Sequence, residues 1–216
     1  MNTLQTMKQR HSVRQYEDRP IEQEKREALE AMVRECNREG DLHIQLLYDE
    51  PKCFDSFLAH YGKFSGVQNY IALVGKKSAT LEETLGYYGE QLVLKAQSLG
   101  LNTCWVALTH GKCSARIEKG EKLVCLIALG YGKTQGVPHN SKPLSQLCRA
   151  ADPAPEWFLQ GMEAAALAPT AMNQQKFFFT LLPDGTVEAT CSSGFYTKLD
   201  LGIVKYHFEA ASGKKL

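Results

Sequence analysis

Two arginines, a histidine and a serine lie within five positions near the start of the chain, in the segment QRHSVRQY at residues 9–16. If this segment is extended, Arg10, Ser12 and Arg14 share one face, because side chains alternate along a strand. Guanidinium groups offer forked donors and a hydroxyl offers one more, so together these groups could bind a phosphate. Because charged residues are mostly exposed, the residue types alone favour a solvated basic segment over a phosphate site.

A second stretch with binding chemistry is LAPTAMNQQKFFF at residues 167–179, where a polar loop separates small residues from three phenylalanines. One interpretation is structural: Pro169 ends a helix, and the phenylalanines form a buried strand. In the other interpretation, small residues let the backbone approach a flat ligand closely. Thr170 and Asn173 then contact the carbonyl and imide edge of a heteroaromatic ring, because asparagine both donates and accepts. The residue types alone favour neither interpretation.

Aromatic residues and glycines also stand where strands are predicted to end, in LGLNTCWVAL (residues 99–108) and ALGYGK (residues 128–133). Ligands of open sheets usually bind at strand ends, so Trp105 and Tyr131 are candidate ligand contacts. The alternative, which is favoured for either residue taken alone, is that the ring packs in the hydrophobic core. Lys142, in the loop NSKPL, is by residue type a solvated lysine.

Other kinds of site find no support in the sequence. It contains no glycine-rich dinucleotide loop, no Walker loop, and no Ser-His-Asp or Cys-His arrangement. The six histidines are scattered without metal-ligand spacing, and the seven cysteines form no CxxC motif. An odd number of cysteines without a framework is typical of reduced thiols in a cytoplasmic protein, so we predict neither disulfides nor a metal site.

The overall composition is that of an ordinary globular protein of 216 residues, with 44% hydrophobic and 23% charged residues. The formal net charge of +1 predicts no nucleic-acid partner and no anionic membrane partner. No apolar run approaches the ~20 residues of a membrane span, and the polar N-terminus lacks the apolar segment of a secretory signal. We therefore expect a cytoplasmic protein that does not bind membranes.

The apolar pattern predicts elements that could position these residues. The predicted helices are residues 20–36, 81–99, 156–168 and about 198–211, and the predicted strands are residues 43–50, 69–76, 103–108, 122–132, 176–182 and 186–192. Alternating helices and strands indicate an α/β or α+β layer fold. A segment rich in Pro, Gly and polar residues, 134–155, divides the pattern into a larger and a smaller unit. Weak similarity between the two units, such as Pro20 with Pro153, fits either an internal duplication or an accidental match.

Four stretches taken together resemble the nitroreductase family of FMN-dependent oxidoreductases, over nearly the whole chain. RHSVRQYEDRPI resembles the N-terminal Arg-x-Ser-x-Arg signature, and LKAQSLGLNTCWVAL resembles the central helix and the strand after it. LIALGYGK followed by SKPL resembles the Gly-Tyr turn and basic Pro-Leu tail, and APTAMNQQ resembles the Ala-Pro-Ser/Thr-x-x-Asn-x-Gln loop. The resemblance implies an α+β fold with a central, mostly antiparallel sheet flanked by helices. It also makes the phosphate interpretation of the first segment the preferred one.

The resemblance further implies which residues bind FMN. Arg10, Ser12 and Lys142 would hold the phosphate, and His11 would contribute its main chain. Arg14 would lie near the N1/O2 edge of the flavin. The remaining implied contacts are the Trp105, Val106, Ala107 and Leu108 backbone on the N5 side, the turn at Tyr131 and Gly132, and Pro169, Thr170 and Asn173 against the isoalloxazine ring from across the cleft.

The order of the motifs differs from the usual family pattern. In that pattern, the Ala-Pro-Ser loop follows the first helix, and the partner of a homodimer supplies it to the flavin. Here the first helix is followed by VRECNREGD, and the loop stands instead in the C-terminal unit. The resemblance therefore implies a pseudo-dimer within one chain, with residues 1–150 as a phosphate-binding lobe and residues 151–216 as a pseudo-symmetric second lobe that completes the site. LDLGIVKYHFEAAS would be the second lobe's counterpart of the central helix, so a monomer would suffice for one flavin, and a homodimer would be possible.

The implied activity is hydride transfer from NAD(P)H through FMN to a small-molecule electron acceptor such as a nitroaromatic compound or a quinone. One flavin face would serve both substrates in turn, which predicts ping-pong kinetics. No side chain is assigned a catalytic proton transfer. The alternative is a flavin-binding protein without turnover, serving as a sensor or carrier, and a scaffold that has lost its flavin is a third possibility.

Overall fold

The computed structural model describes residues 3–138 and 140–216. The helices are α1 (Thr3–Gln9), α2 (Gln23–Gly40), α3 (Phe57–Tyr61), α4 (Leu81–Ser98), α5 (Glu156–Ala165) and α6 (Thr197–Ser212), and the strands are β1 (Gln45–Leu47), β2 (Asn69–Lys76), β3 (Asn102–Val106), β4 (Glu121–Gly130), β5 (Cys148–Arg149), β6 (Phe177–Leu181) and β7 (Val187–Cys191). Among the helices of these residues, none combines the length and the apolarity needed to cross a bilayer.

The chain forms two compact units, which we describe separately. The sheet unit comprises Gln9–Leu81 and Leu92–Val137. The C-terminal unit comprises Pro138–Leu216, the first half of α4 (Glu82–Gln91) and the chain before Gln9. The predicted division of the chain into two pseudo-symmetric lobes, residues 1–150 and 151–216, remains a prediction.

The sheet unit is built on a four-stranded antiparallel sheet with the order β1-β2-β4-β3. Its two central strands, β2 and β4, are continuous apolar runs, as strands covered on both faces require. In β2, every residue from Tyr70 to Val74 is fully buried. The architecture is therefore α+β with a mostly antiparallel sheet, which confirms the predicted fold class.

The C-terminal unit contains a three-stranded sheet with the order β5-β6-β7. The β6–β7 hairpin turns at Pro183-Asp184-Gly185, as the sequence predicts, and Asp184 Oδ1 accepts a hydrogen bond from Thr186 N at 2.9 Å. The phenylalanine run leads into the core, because Phe179 of β6 stacks on Phe208 of α6 with the ring centroids 5.0 Å apart.

Helices α4 and α6 make backbone contact through two glycines of the C-terminal unit. A Cβ atom added at Gly202 would lie 1.9 Å from the carbonyl oxygen of Glu83, and one added at Gly86 would lie 2.0 Å from that of Leu199. Each glycine thus packs against the residue three positions before the other glycine. The contact is reciprocal, as across a two-fold axis.

The structure corrects several predicted boundaries. Helix α2 begins at Gln23 because Glu22 before it is extended (φ −59°, ψ 146°), and it continues to Gly40, where left-handed Asp41 ends it. Helix α5 ends at Ala165, so Ala168 and Pro169 lie outside it. The strand predicted at residues 43–50 pairs with β2 over three residues alone.

Three elements escaped prediction because each is short. Helix α3 has five residues, too few to show a periodicity, and its N-terminus is stabilised by Ser56 Oγ, which accepts a hydrogen bond from Ala59 N at 3.2 Å. Helix α1 lies in the polar N-terminal stretch, for which the sequence predicts no element, and the two-residue strand β5 lies within the irregular segment 134–155.

Candidate functional site

The basic segment, residues 10–14, runs alongside β3 in the sheet unit. Ser12 pairs in parallel with Thr103, and Val13 N donates to Thr103 O at 3.0 Å. Val13 is buried in the core, so Ser12 and Arg14 lie on the opposite face, as predicted for an extended segment. Arg14 is exposed, with its guanidinium carbon 6.0 Å from the Phe64 ring centroid, whereas Arg10 is only 3% exposed.

The basic segment influences the thiol of Cys104 in β3. Burial raises the pKa of the Cys104 thiol in β3, and three groups oppose this shift: the Arg14 charge, a hydrogen bond from Ser12 and the Arg10 charge. Two cations and a hydroxyl within one extended segment are a donor set suited to phosphate.

A glycine turn after β4 packs against the same segment. Gly132 N donates to Asn102 Oδ1 at 2.9 Å, and a Cβ atom at Gly132 would lie 2.5 Å from the Thr134 carbonyl oxygen. His11 Nδ1 donates to the Gln135 carbonyl oxygen at 3.0 Å. A Cβ atom at Gly132 would also lie 2.7 Å from Val13 Cγ1, so the turn packs against the basic segment through Val13 and His11.

The Tyr131 side chain is occupied within the protein. Its hydroxyl donates to the carboxylate of Glu22 and accepts a hydrogen bond from Lys25 Nζ at 2.7 Å, while the Arg19 guanidinium lies 3.9 Å from the ring centroid. The hydrogen bond from Tyr131 is the main reason why the pKa of Glu22 falls to about 2. Of the two interpretations of this residue, the structure favours the structural one for the side chain.

The predicted N5-side residues lie at the end of β3. Trp105 and Val106 belong to the strand and pair with Ile127 and Leu126 of β4. Ala107 and Leu108 follow the strand, contrary to the predicted strand bounds, and Leu108 is 63% exposed. The pairing of β3 with β4 thus ends within the stretch that the resemblance assigns to the flavin.

In the C-terminal unit, the Asn173 loop (residues 168–175) has a strained backbone. Met172, Asn173 and Gln175 have φ angles of 54°, 54° and 46°, in the left-handed region that costs non-glycine residues free energy. Side chains within the loop hold this shape: Thr170 Oγ1 accepts from Gln175 N at 3.1 Å, and Asn173 Oδ1 accepts from Gln175 Nε2 at 3.0 Å. Strain of this kind is concentrated at binding sites.

Two charged residues support the Asn173 loop from outside. Asp200, buried in the first turn of α6, accepts hydrogen bonds from Ala171 N and Gln174 Nε2, each at 2.9 Å. Lys142 Nζ donates to the carbonyl oxygens of Gln174 and Gln175 at 2.9 and 3.1 Å. The structure therefore brings Lys142, Thr170 and Asn173 together, with Pro169 at the start of the loop. Sequence reasoning missed Asp200 and Gln175, although an acid in the apolar stretch LDLGIV is a visible signal.

The pH dependence of stability tests the role of Asp200. Burial raises the pKa of Asp200 to about 6, against the opposing hydrogen bonds from Ala171 and Gln174. The folded state therefore binds a proton more tightly than the unfolded chain, where the ordinary value is 3.8. This contribution is fully present below the unfolded value and is lost as the pH rises through about 6. We expect it to reach up to about 2–3 kcal/mol.

The measurement is the free energy of unfolding between acidic and neutral pH, for the wild type and for Asp200→Asn. Asp200→Asn should lose the decrease in the free energy of unfolding that the wild type shows as the pH rises through about 6. Asp184→Asn is a matched control, because the hydrogen bond from Thr186 lowers the pKa of that exposed carboxyl. An Asp200→Asn variant with the pH slope of the wild type would show that Asp200 does not titrate in this way.

Among the described residues, no group of three or more His, Cys, Asp or Glu side chains could hold a metal ion. The candidate binding groups are the donors of the basic segment and the polar edge of the Asn173 loop. Both sets consist of hydrogen-bond donors and acceptors that suit a phosphate and a heteroaromatic ring.

Comparisons with known proteins show the family and the fold. Residues 2–212 match the model of a protein family described as "Putative TM nitroreductase". No curated protein matches the chain. Among solved structures, a "putative nitroreductase" from Thermotoga maritima is similar over 98% of this chain and 83% of its own, with 21% identity and a TM-score of 0.71.

Two further solved structures share the fold over part of the chain. A "putative nitroreductase" from Desulfovibrio desulfuricans in complex with FMN has 16% identity and a TM-score of 0.54, covering 67% of this chain and 93% of its own. A "putative NADH dehydrogenase/NAD(P)H nitroreductase" from Bacteroides thetaiotaomicron has 20% identity and a TM-score of 0.52, covering 67% and 95%. At these identities, the similarity concerns the fold.

Proposed function

The chain belongs to the nitroreductase family described as "Putative TM nitroreductase", and from that premise we propose that it is an FMN-dependent oxidoreductase. The observation that carries the proposal is the extended basic segment of Arg10, Ser12 and Arg14, which pairs with β3 at Thr103 and contacts the turn after β4 through His11 and Gln135. A similar protein from Desulfovibrio desulfuricans is in complex with FMN, which supports this choice of cofactor.

The phosphate of FMN fits the basic segment by charge and by donor geometry. Guanidinium groups bind phosphate oxygens in pairs, and the Ser12 hydroxyl adds one donor. We assign Arg10 and Ser12 to the phosphate, with His11 contributing its main chain. Lys142 keeps its proposed phosphate role, since an ammonium has three donors and the two bonds to the Asn173 loop use two of them.

The ring of FMN is assigned to the remaining residues. Arg14 would favour negative charge at the N1/O2 edge, since a fixed cation stabilises charge that develops beside it. The backbone from Trp105 to Leu108 would face N5, and Pro169, Thr170 and Asn173 would contact the ring. When bound, FMN supplies hydride chemistry between NAD(P)H and an acceptor such as a nitroaromatic compound or quinone. The protein supplies binding, orientation and charge.

The reciprocal contact of Gly86 and Gly202 supports the proposed pseudo-dimer. In a two-fold interface, residue i contacts residue j while j contacts i, and α4 and α6 show this relation within one chain. This reciprocal contact fits the assignment of LDLGIVKYHFEAAS, in α6, as the second lobe's counterpart of the central helix. One chain would then hold one flavin, and the assembly of two chains would not be required for the site.

The experiment that tests the proposed cofactor compares the binding of FMN and riboflavin, measured by flavin fluorescence. The wild type should prefer FMN, which has the phosphate that riboflavin lacks. Arg10→Ala should weaken FMN binding by roughly 10–100-fold, because a hydrogen bond to a charged group is worth about 1.5–3 kcal/mol. Its affinity for riboflavin should stay unchanged. Arg38→Ala, which removes an exposed arginine of α2, is the control.

Since Arg10 is buried, Ser12→Ala provides a second variant that alters the segment less. It should also weaken FMN binding and leave riboflavin binding unchanged. An equal preference for FMN and riboflavin in the wild type would overturn the phosphate site. Steady-state kinetics with NAD(P)H and a quinone should give parallel double-reciprocal lines, and intersecting lines would contradict the ping-pong mechanism.

A further inference from the structure

Two cysteines of the sheet unit, Cys53 and Cys113, lie where the loop between β3 and β4 crosses the turn Pro51–Cys53. The loop is fixed there by its backbone: Gly111 N donates to Cys53 O at 2.6 Å, and Cys53 Sγ lies 3.9 Å from Gly111 O. Two residues further along, Cys113 packs against the buried cluster that contains Cys53 and Tyr70. Cys53 is 1% exposed and Cys113 is partly exposed, so a small reagent can reach Cys113 first.

The surroundings of Cys113 favour a negative charge on its sulfur. Ala115 N donates to Cys113 Sγ at 3.3 Å. Hydrogen bonds from Cys53, Ala115 and Tyr70, together with the nearby His110, lower the pKa of the Cys113 thiol despite its partial burial. The same hydrogen bond raises the pKa of Cys53, so Cys113 is the thiolate and Cys53 the thiol of the pair.

Four other cysteines lack this combination of a lowered thiol pKa and access. Burial raises the pKa of the thiols of Cys36, Cys104 and Cys148. Cys125 lies buried in β4. Reactivity toward oxidants follows thiolate character and access together, and Cys113 has both.

We propose that Cys113 is a peroxide-reactive thiolate and that Cys53 is its resolving partner, so that the two form a reversible disulfide. The Cys113 sulfur attacks one oxygen of hydrogen peroxide, the O–O bond breaks, and hydroxide leaves. The Cys53 sulfur then attacks the resulting sulfenic acid on Cys113 and displaces its hydroxyl, which leaves as water with the thiol proton. In sum, two thiols lose two hydrogens, and one peroxide becomes two waters.

The disulfide would tie the β3–β4 loop to the turn Pro51–Cys53. That loop begins with Ala107 and Leu108, which are assigned to the flavin. Formation of the disulfide would therefore constrain the chain next to these two residues. The proposal itself rests on the two thiols and their contacts. Its outcome is therefore independent of whether FMN binds.

The test treats the reduced, full-length protein with one equivalent of hydrogen peroxide, blocks the remaining thiols, and maps peptides by mass spectrometry after trypsin digestion. Cleavage after Lys52 and Lys112 places Cys53 and Cys113 at the start of separate peptides. We expect these two peptides to be joined and to separate again on treatment with dithiothreitol. In Cys53→Ser, dimedone should instead trap a sulfenic acid on Cys113.

Cys191→Ser is the matched control, because Cys191 is also partly exposed but lies in β7 of the other unit, and it should leave the linkage unchanged. In a competition with limiting iodoacetamide, Cys113 should be the first of the seven cysteines to be alkylated. Oxidation of another cysteine before Cys113 would overturn the proposal. A Cys113 that oxidises without joining Cys53 would also overturn it.

Discussion

Gly202→Ala is expected to lower the free energy of unfolding by roughly 2–4 kcal/mol, although alanine is the better helix former. Helix propensity alone would stabilise the variant by about 1 kcal/mol. The new methyl group, however, would lie 1.9 Å from the Glu83 carbonyl oxygen and 2.7 Å from Tyr87 N. Both are backbone atoms of α4 and cannot rotate away, so the helices must separate, and overpacking of this kind typically costs about 1–3 kcal/mol or more.

Denaturant unfolding measures this change. Gly86→Ala should be similarly destabilising, because its methyl group would meet the Leu199 carbonyl oxygen at 2.0 Å. Lys198→Ala, an exposed replacement in the same helix, should change the free energy of unfolding by less than about 0.5 kcal/mol. If either glycine variant were as stable as the wild type, the close backbone contact of α4 and α6 would be refuted.

His207→Leu is expected to destabilise the protein by about 3–5 kcal/mol, because it breaks a fully buried polar pair. His207 Nε2 and Glu90 Oε1 are 2.9 Å apart, and both side chains are 0% exposed. His207 Nδ1 also donates to the Ala164 carbonyl oxygen at 2.9 Å, so this one ring links α4, α5 and α6. Removing the ring leaves the buried Glu90 carboxyl and the Ala164 carbonyl without this contact.

A double variant separates the pair interaction from simple loss of packing. Glu90→Leu with His207→Leu removes both polar groups, and buried ion pairs replaced by apolar residues often cost little. We expect the double variant to be more stable than His207→Leu alone. If the free energies of unfolding lost in Glu90→Leu and in His207→Leu simply added up in the double variant, a pairing role for Glu90 and His207 would be contradicted.

Long apolar runs made much of the sheet predictable. Strand β2 occupies the predicted residues 69–76, and β4 lies within one or two residues of its predicted bounds, because both are central strands whose burial shows directly in the sequence. Element ends that depend on partners were less predictable. Ala107 and Leu108 are apolar like the strand before them, yet β3 ends at Val106.

The candidate site was predictable where local chemistry defines it. The extended basic segment and the loop after Pro169 follow from residue types and the family resemblance. The support of the loop by Asp200 does not, because Asp200 is distant in sequence and its hydrogen bonds to Ala171 and Gln174 arise only on folding. The use of the Tyr131 hydroxyl by Glu22 and Lys25 is another contact between segments far apart in the chain.

The most direct test of the central proposal is the visible absorption spectrum of the purified protein, mixed with FMN, desalted, and then treated anaerobically with NADH or NADPH. We expect flavin bands that remain after desalting and bleach when the reductant is added. Retained bands that do not bleach with either nucleotide would contradict the proposed oxidoreductase. Loss of the flavin bands on desalting would contradict tight binding of FMN itself.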